Sequence, residues 1–437
     1  MKLTVIGGGY VGLVSAACFS HMGHEVLVVE KIPEKVELLR KGESTIYEPG
    51  LEELLKEGLR EGKLDFTTDI KRGIEFSEVI FICVGTPSNP DGSADLSQVE
   101  EVARLTAEYM QDYKLLVNKS TVPVGTQKRV KRTIKLYLKD KNIGFDVASN
   151  PEFLREGHAV KDFLEPDRIV IGVDSEKAKE ILVEIYKPIT DKGYPILITS
   201  PATAEIIKYA SNTFLAVKIS FINMIADLCE KVGANVEEVA TGIGYDKRIG
   251  KDFLRAGLGW GGSCLPKDTK AFIKICEEYG VDSTILRGAH SVNESRISKF
   301  VDKLKEVLWI IKGKTIAIWG LSFKPNTDDI REAPSLKIVE KLLKEGANIR
   351  AYDPKATENF KRIFTEGRDL MYFNDKYKAI KGADALLILT EWEEFKKANL
   401  EKVKNLMKLP IIIDGRNIYN PDKVRALGFE YYSMGRP

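Results

Sequence analysis

The chain has 437 residues, 43% hydrophobic and 30% charged, which is ample material for buried cores and a length that points to two or three domains. With 66 Lys and Arg against 64 Asp and Glu, its formal charge of +2 excludes a global field for drawing in nucleic acid or acidic membranes. Cys18, Cys83, Cys229, Cys264 and Cys276 lack both Cys-x-x-Cys metal spacing and the density of a disulfide scaffold. A reduced, cytoplasmic protein with no metal is expected, with no secretory signal at the start and no apolar run approaching the length that spans a bilayer.

Leu3 to Ile6, the glycines of Gly7 to Gly12, an apolar-periodic stretch to Met22 and Glu25 to Val29 read as strand, turn, helix and strand, a βαβ unit. Further buried-strand runs follow. Val79 to Val84 ends at Gly85-Thr86-Pro87, Leu115 to Asn118 at Ser120-Thr121-Val122-Pro123, and Asp146 to Ala148 at Asn150-Pro151-Glu152. Such repeats predict a parallel, doubly wound sheet with its ligand beyond the carboxyl ends of the strands. Ser200-Pro201 opens a helix to about Val232 that is apolar on most faces, so burial between domains and against a second subunit is expected. Lys208 and Asn212, four apart, share one face of it. From about Gly313 the α/β pattern restarts: Thr315 to Trp319 before Gly320, a helix around Ser335 to Lys344, Asn348 to Tyr352 before Asp353, Ala385 to Leu389, and Ile411 to Ile413 before Asp414-Gly415-Arg416. Gly320 lacks the second and third glycines of a dinucleotide site, so this sheet suits a mononucleotide. The expected architecture is α/β: two doubly wound Rossmann-like domains joined by a long central helix, with divisions at 1–199, 200–306 and 307–437.

Two segments carry chemistry. Gly7-Gly8-Gly9-Tyr10-Val11-Gly12 lies between strand and helix, where a pyrophosphate approaches the helix N-terminus, and Glu30, 18 residues past Gly12, ends the next strand, where an acid pairs with ribose hydroxyls and disfavours a 2′-phosphate. NAD is the expected cofactor. The glycine-rich run Gly257-Leu258-Gly259-Trp260-Gly261-Gly262 predicts a loop wrapped closely round a ligand, and Cys264 follows it just before Pro266 and a helix over about 268–279. A thiol at a helix N-terminus has its thiolate favoured by the dipole and becomes a nucleophile. The other four cysteines read as small buried apolar residues.

As a set, these residues resemble the UDP-glucose and GDP-mannose dehydrogenases along essentially the whole chain. The resemblance rests on Gly7 to Gly12, Tyr47-Glu48-Pro49-Gly50-Leu51, Val84 to Pro87, Ser120 to Thr126, Asn150 to Gly157, the Cys264 loop, Gly320-Leu321-Ser322-Phe323-Lys324 and Asp414-Gly415-Arg416. It implies a four-electron oxidation of a sugar C6 alcohol to the acid. Asp268, or a water held by Asp268, Lys208 and Thr121, would be the first base; Lys208 and Asn212 would stabilise the oxyanion; Cys264 would carry a thiohemiacetal and then a thioester; Glu152 would activate the hydrolytic water. It implies NAD contacts from Gly7, Gly9, Tyr10, Val11, Gly12, Glu30, Lys35, Thr86, Thr121, Glu156, Lys267 and Arg331. Nucleotide-sugar contacts would come from Glu152, Phe153, Leu154, Lys208, Asn212, Phe253, Leu254, Gly257, Gly259, Lys324 and Arg416, with Arg248 reaching in from the second subunit of a homodimer. Arg248-Ile249-Gly250 followed by Phe253-Leu254 looks like the UDP-glucose branch; the Gly-Gly-Ser-Cys-Leu-Pro-Lys-Asp core is shared with GDP-mannose enzymes. The rival readings are a hydroxyacid dehydrogenase, which needs no cysteine, and a non-catalytic nucleotide-sugar sensor.

Overall fold

The computed structural model describes residues 1–437 and divides into two compact units, Met1–Ser211 with Lys270–Tyr279, and Asn212–Thr269 with Gly280–Pro437. The first unit is built on strands β1 (Lys2–Ile6), β2 (Glu25–Val29), β3 (Leu64–Thr67), β4 (Val79–Ile82), β5 (Lys114–Asn118), β6 (Phe145–Ser149), β7 (Ile169–Gly172) and β8 (Ile196–Thr199), in the order β3-β2-β1-β4-β5-β6-β7-β8. Strands β1 to β6 are parallel. Both faces of this block are buried, as a parallel sheet requires: Leu3, Val5, Phe81 and Val117 meet Phe19 of the Tyr10–His21 helix on one side, while Ile6, Ile80, Ile82 and Leu116 meet Val102 and Ile134 on the other.

Past β6, the last strand of this unit read from the sequence, β7 pairs antiparallel with β6 through Ser149 and Gly172. The segment between them runs along the carboxyl edge, where Glu48 accepts from Gly157 N and Ala159 N at 2.6 and 2.7 Å, instead of crossing back to the amino edge. A parallel neighbour needs that return.

The second unit carries β9 (Thr315–Trp319), β10 (Asn348–Tyr352), β11 (Leu370–Tyr372), β12 (Ala385–Ile388), β13 (Ile411–Asp414) and β14 (Glu430–Ser433), ordered β11-β10-β9-β12-β13-β14 and parallel throughout. That is the strand order of β1 to β6, so the faint echo in the sequence is a repeat of topology. The Thr284–Leu308 helix packs Phe300, Val301 and Leu304 into its core.

The central helix, Pro201–Val232, begins where expected, with Ser200 Oγ accepting from Thr203 N at 3.2 Å. By length and composition alone it is also long and apolar enough to cross a bilayer, a property it shares with core helices that never meet one. No uninterrupted apolar run signals this because Ser, Thr, Asn and Tyr are interspersed along it. Phe214, Phe221, Met224, Leu228 and Val232 leave one apolar stripe exposed, with Phe214 and Val232 64% and 66% exposed.

Candidate functional site

The carboxyl ends of β1, β2, β4, β5 and β6 bring Gly7, Glu30, Thr86, Thr121 and Glu152 to one edge of the first unit. Gly9 is the N-cap of the Tyr10–His21 helix and has open space where a side chain would stand, whereas a Cβ on Gly12 would lie 1.8 Å from Gly7 O. The glycine turn is therefore a cradle at a helix N-terminus with its own backbone packed tight behind it, a good fit for a pyrophosphate. Glu30 is buried and accepts from Gly8 N at 3.1 Å and Ile32 N at 2.9 Å. Those two bonds aim the carboxylate and leave lone pairs for ribose hydroxyls. Gly8, not singled out in the sequence, is thus as constrained as its neighbours. Tyr10 donates to Glu48, and Gly157 N donates back to the Tyr10 hydroxyl at 3.1 Å, joining the fingerprint to the segment after Glu156. Val11 follows Tyr10 in the first turn of the same helix, and Lys35 lies in the first turn of the Pro33–Arg40 helix beyond Glu30. Thr86 Oγ1 donates to Thr121 O at 2.9 Å, which fixes the two threonine loops together.

Glu152 and Lys208 meet in the first unit. Lys208 Nζ donates to Glu152 Oε1 at 2.9 Å and to its backbone oxygen at 2.8 Å, and Leu154 N donates to Oε2 at 2.6 Å. Both side chains are almost fully buried. Burial opposes the carboxylate charge, yet Lys208, the Leu154 amide and the more distant Lys119 hold Glu152 below the usual carboxylate range. Phe153 stacks its ring under the Arg168 guanidinium, 3.6 Å away. The bond to Glu152, 56 residues away in sequence, was not anticipated for Lys208.

In the second unit, Asp268 is buried and receives two donors, Asn212 Nδ2 at 2.6 Å and Lys267 Nζ at 2.7 Å. Lys267, expected at the cofactor, is thereby placed on the candidate base. Cys264 immediately precedes the Leu265–Glu278 helix and its carbonyl takes the first helical bond, from Asp268 N at 2.8 Å. The thiol thus sits at the N-terminus predicted for it, partly exposed and 3.4 Å from Ser263 Oγ. By contrast Cys18, Cys83 and Cys229 are buried, and burial pushes Cys83 up to about 12.

The loop before Cys264 lies on the carboxyl edge of the second sheet. Leu258 N donates to Gly415 O at 3.0 Å, and Gly262 N to Arg331 O at 2.9 Å. Gly259 has φ +91°, and a Cβ there would lie 2.2 Å from Asn293 Oδ1. Asn293 grips Trp260 at both backbone atoms, at 2.8 and 3.0 Å, and the fully buried Arg296 donates to Gly257 O at 3.0 Å. Asn223 Oδ1 accepts from Gly257 N at 2.8 Å. None of these three polar residues was anticipated; a signal existed in Asn293 and Arg296, polar at helical spacing beside Phe300 and Leu304. Phe253 adopts φ 62°, a strained conformation for a non-glycine at the start of this loop, and Leu254 next to it is buried. Arg416 donates to Leu389 O at 2.8 Å, Gly259 O at 3.1 Å and Phe323 O at 3.3 Å, and Lys324 lies 5.3 Å from the Phe323 ring. Arg331 is paired with Asp329. Arg248 joins neither cluster: it is 90% exposed and paired with Asp246. At the end of β10, where Glu30 has its counterpart in Asp353, both carboxylate oxygens are taken up by the N–H groups of Leu321, Ser322, Lys355 and Ala356. A second dinucleotide ribose has no acceptor there.

Comparison with known proteins agrees with this geometry. Residues 1–190 match the NAD binding domain of the UDP-glucose/GDP-mannose dehydrogenase family, residues 202–295 its central domain, and residues 317–421 its UDP binding domain. A UDP-glucose 6-dehydrogenase of Rhizobium meliloti is 48% identical over the full length of both chains. The structure of a UDP-glucose dehydrogenase from Pyrobaculum islandicum superposes with a TM-score of 0.91 at 39% identity, covering 99% of this chain and 96% of that one. A UDP-D-ManNAc dehydrogenase from Pyrococcus horikoshii gives 0.87 at 32% identity, covering 100% and 99%. With all three domains matched in order and the glycine cradle, Cys264 and Asp268 in place, this chain belongs to the UDP-glucose/GDP-mannose dehydrogenase family and is an NAD-dependent dehydrogenase.

Proposed function

We propose that the chain oxidises UDP-glucose to UDP-glucuronate in the cytoplasm, through Cys264, with an NAD-binding domain over 1–199, a helical and dimerising connector over 200–306 and a UDP-sugar domain over 307–437. The observation that carries this reading is Cys264 at a helix N-terminus, after a pinned glycine loop, with buried Asp268 one turn on. Full-length similarity to a relative named UDP-glucose 6-dehydrogenase supports the choice of sugar.

NAD held by the Gly7 to Gly12 cradle and Glu30 would supply the hydride acceptor for each of two oxidations. Asp268, directly or through a water shared with Lys208 and Thr121, takes the C6 hydroxyl proton as the C–H bond breaks, leaving an aldehyde. The Cys264 sulfur bonds to the aldehyde carbon and the new oxyanion is met by Lys208 and Asn212 before it is protonated. Loss of the thiohemiacetal's hydroxyl proton, again to Asp268 or its water, and of the second hydride leaves a thioester. Glu152 takes a proton from water, the hydroxide oxygen bonds to the acyl carbon, the C–S bond breaks and the thiolate returns. The sum is one alcohol, two NAD and one water giving one carboxylate, two NADH and three protons. Phe253, Leu254, Gly257, Gly259, Lys324 and Arg416 bind the nucleotide sugar; Lys35, Glu156 and Arg331 complete the cofactor contacts.

Incubating the protein with NAD and, in turn, UDP-glucose, GDP-mannose and UDP-N-acetyl sugars tests the substrate: NADH is expected fastest with UDP-glucose, and faster turnover of another sugar rejects it. Cofactor choice follows Glu30. NADP is expected to work at no more than about 1% of the efficiency of NAD, since its 2′-phosphate meets a carboxylate, and Glu30→Ala should narrow that gap. Equal efficiencies in the unaltered protein would remove this role.

The exposed stripe of Phe214, Phe221, Met224, Leu228 and Val232 is proposed to dock a second copy, with Arg248 completing the neighbour's sugar site. Mixing inactive Arg248→Ala and Cys264→Ala proteins is then expected to restore about a quarter of the sites, because one protomer in each mixed dimer is intact. No recovery despite demonstrated subunit exchange counts against a role in trans.

A further inference from the structure

Lys119 is a lysine that water barely reaches, at 4% exposure, and it has no carboxylate bonded to it. Its ammonium donates to Asn150 Oδ1 at 3.1 Å and to the Tyr186 hydroxyl at 3.2 Å, and Tyr186 donates in turn to the same Asn150 oxygen at 2.5 Å. The Phe163 and Tyr186 rings lie 5.5 and 5.8 Å from Nζ. Burying an ammonium among neutral partners costs several kcal/mol, so a fold that retains one gives up stability for it. The titratable groups around it are Cys83, Glu152, Lys208 and Cys18. Burial pushes both thiols up and keeps them neutral. Glu152 is the one carboxylate among them, and it lies two residues past Asn150, which Lys119 holds.

The connection also runs through the Asn150 turn. Lys119 follows β5 and Asn150 follows β6, and Asn150 is further held by its own N–H to Asn118 O at 2.8 Å and by Nδ2 to Val170 O at 2.8 Å. Asn150 opens the Asn150-Pro151-Glu152 turn, so whatever fixes Asn150 fixes where Glu152 starts. We infer that Lys119 is a positioning residue for the hydrolytic half of the reaction: it anchors the turn that presents Glu152 and, with Lys208, keeps that carboxylate ionised to take the proton from water. This rests on the reading of Glu152 as the base for thioester hydrolysis. Burial also pushes Lys119 itself down to about 8, so its charge is present at and below neutral pH, where Glu152 most needs it.

The test compares Lys119→Gln, which keeps a donor to Asn150 without the charge, with Lys119→Met, which removes both, alongside Glu152→Gln. Removing Lys119's charge lets burial raise the Glu152 carboxyl, so the acid limb of the rate against pH is expected to move up by about half to one pH unit in Lys119→Gln. Thioester hydrolysis slows, and intact-mass measurement during turnover of UDP-glucose should find covalent acyl-enzyme on Cys264 in both Lys119 variants and in Glu152→Gln. Melting temperatures of the Lys119 variants should match or exceed that of the unaltered protein, because a buried charge has gone. A structural lysine gives the opposite pattern: a lower melting temperature, an unmoved acid limb and no adduct. If Glu152→Gln accumulates adduct and neither Lys119 variant does, the inference about Lys119 alone is overturned. If Glu152→Gln accumulates none, the role of Glu152 fails first. Should Lys119→Met not fold, Lys119→Gln decides; should neither fold, the residue is structural and the inference fails.

Discussion

Cys264→Ala is expected to lower net conversion of nucleotide sugar to acid by at least about a thousandfold while changing nucleotide-sugar affinity only a few-fold. The loss is large because alanine offers no nucleophile, and the hydroxyl of Ser263, 3.4 Å from Sγ, lacks the helix N-terminal position that favours the Cys264 thiolate. Binding survives because the loop is held elsewhere, by Asn223 and Arg296 at Gly257, by Asn293 at Trp260 and by Arg416 at Gly259. Cys264→Ser separates capture from release. Its hydroxyl can bond to the aldehyde carbon, but an ester leaves more slowly than a thioester, so an acyl-serine adduct should appear by intact mass. Calorimetric titration of Cys264→Ala with UDP-glucose checks the binding half, and near-normal acid formation by that variant rejects covalent catalysis.

Lys208→Met should be inactive and also destabilised, by about 3–5 kcal/mol, because it strands the Glu152 carboxylate in a buried site. Adding Glu152→Gln is expected to recover most of the stability and none of the activity, a coupling that a double-mutant cycle in denaturant measures. The same pair sets a pH dependence. Glu152 titrates lower folded than unfolded, so its contribution to stability is fully present above its ordinary carboxylate range and is lost as pH falls through the folded value. Acid unfolding of the unaltered protein is therefore expected below about pH 4, with a weaker acid dependence in the double variant. Equal acid unfolding in both removes the ion pair from the explanation.

Much of the first unit was legible because its signals are local. The strand, glycine turn and helix around Gly7 to Gly12, the acid at the end of β2 and the helix start at Ser200-Pro201 depend on residues within a few positions of one another. The same holds for Cys264, whose glycine loop and following helix are contiguous with it. What was not legible depends on pairing across distance. Strand β7 pairs antiparallel with β6, and the segment leading to it is held by Glu48 at Gly157 and Ala159, a contact spanning 109 residues that no periodicity encodes. The bond from Lys208 to Glu152, 56 residues away, is of the same kind. The grip of Asn293 and Arg296 on the cysteine loop left only a weak trace, polar residues among apolar ones on the Thr284–Leu308 helix. The central helix was legible in full, because scattered small polar residues along it do not interrupt its apolar periodicity.

The proportion of NADH formed to UDP-glucose consumed tests the central claim most directly. With NAD in excess and UDP-glucose limiting, absorbance at completion is expected to give two NADH per sugar, with UDP-glucuronate as product and no free aldehyde trapped by hydrazine. One NADH per sugar with trapped aldehyde would contradict a thioester on Cys264 and return the protein to simple alcohol oxidation.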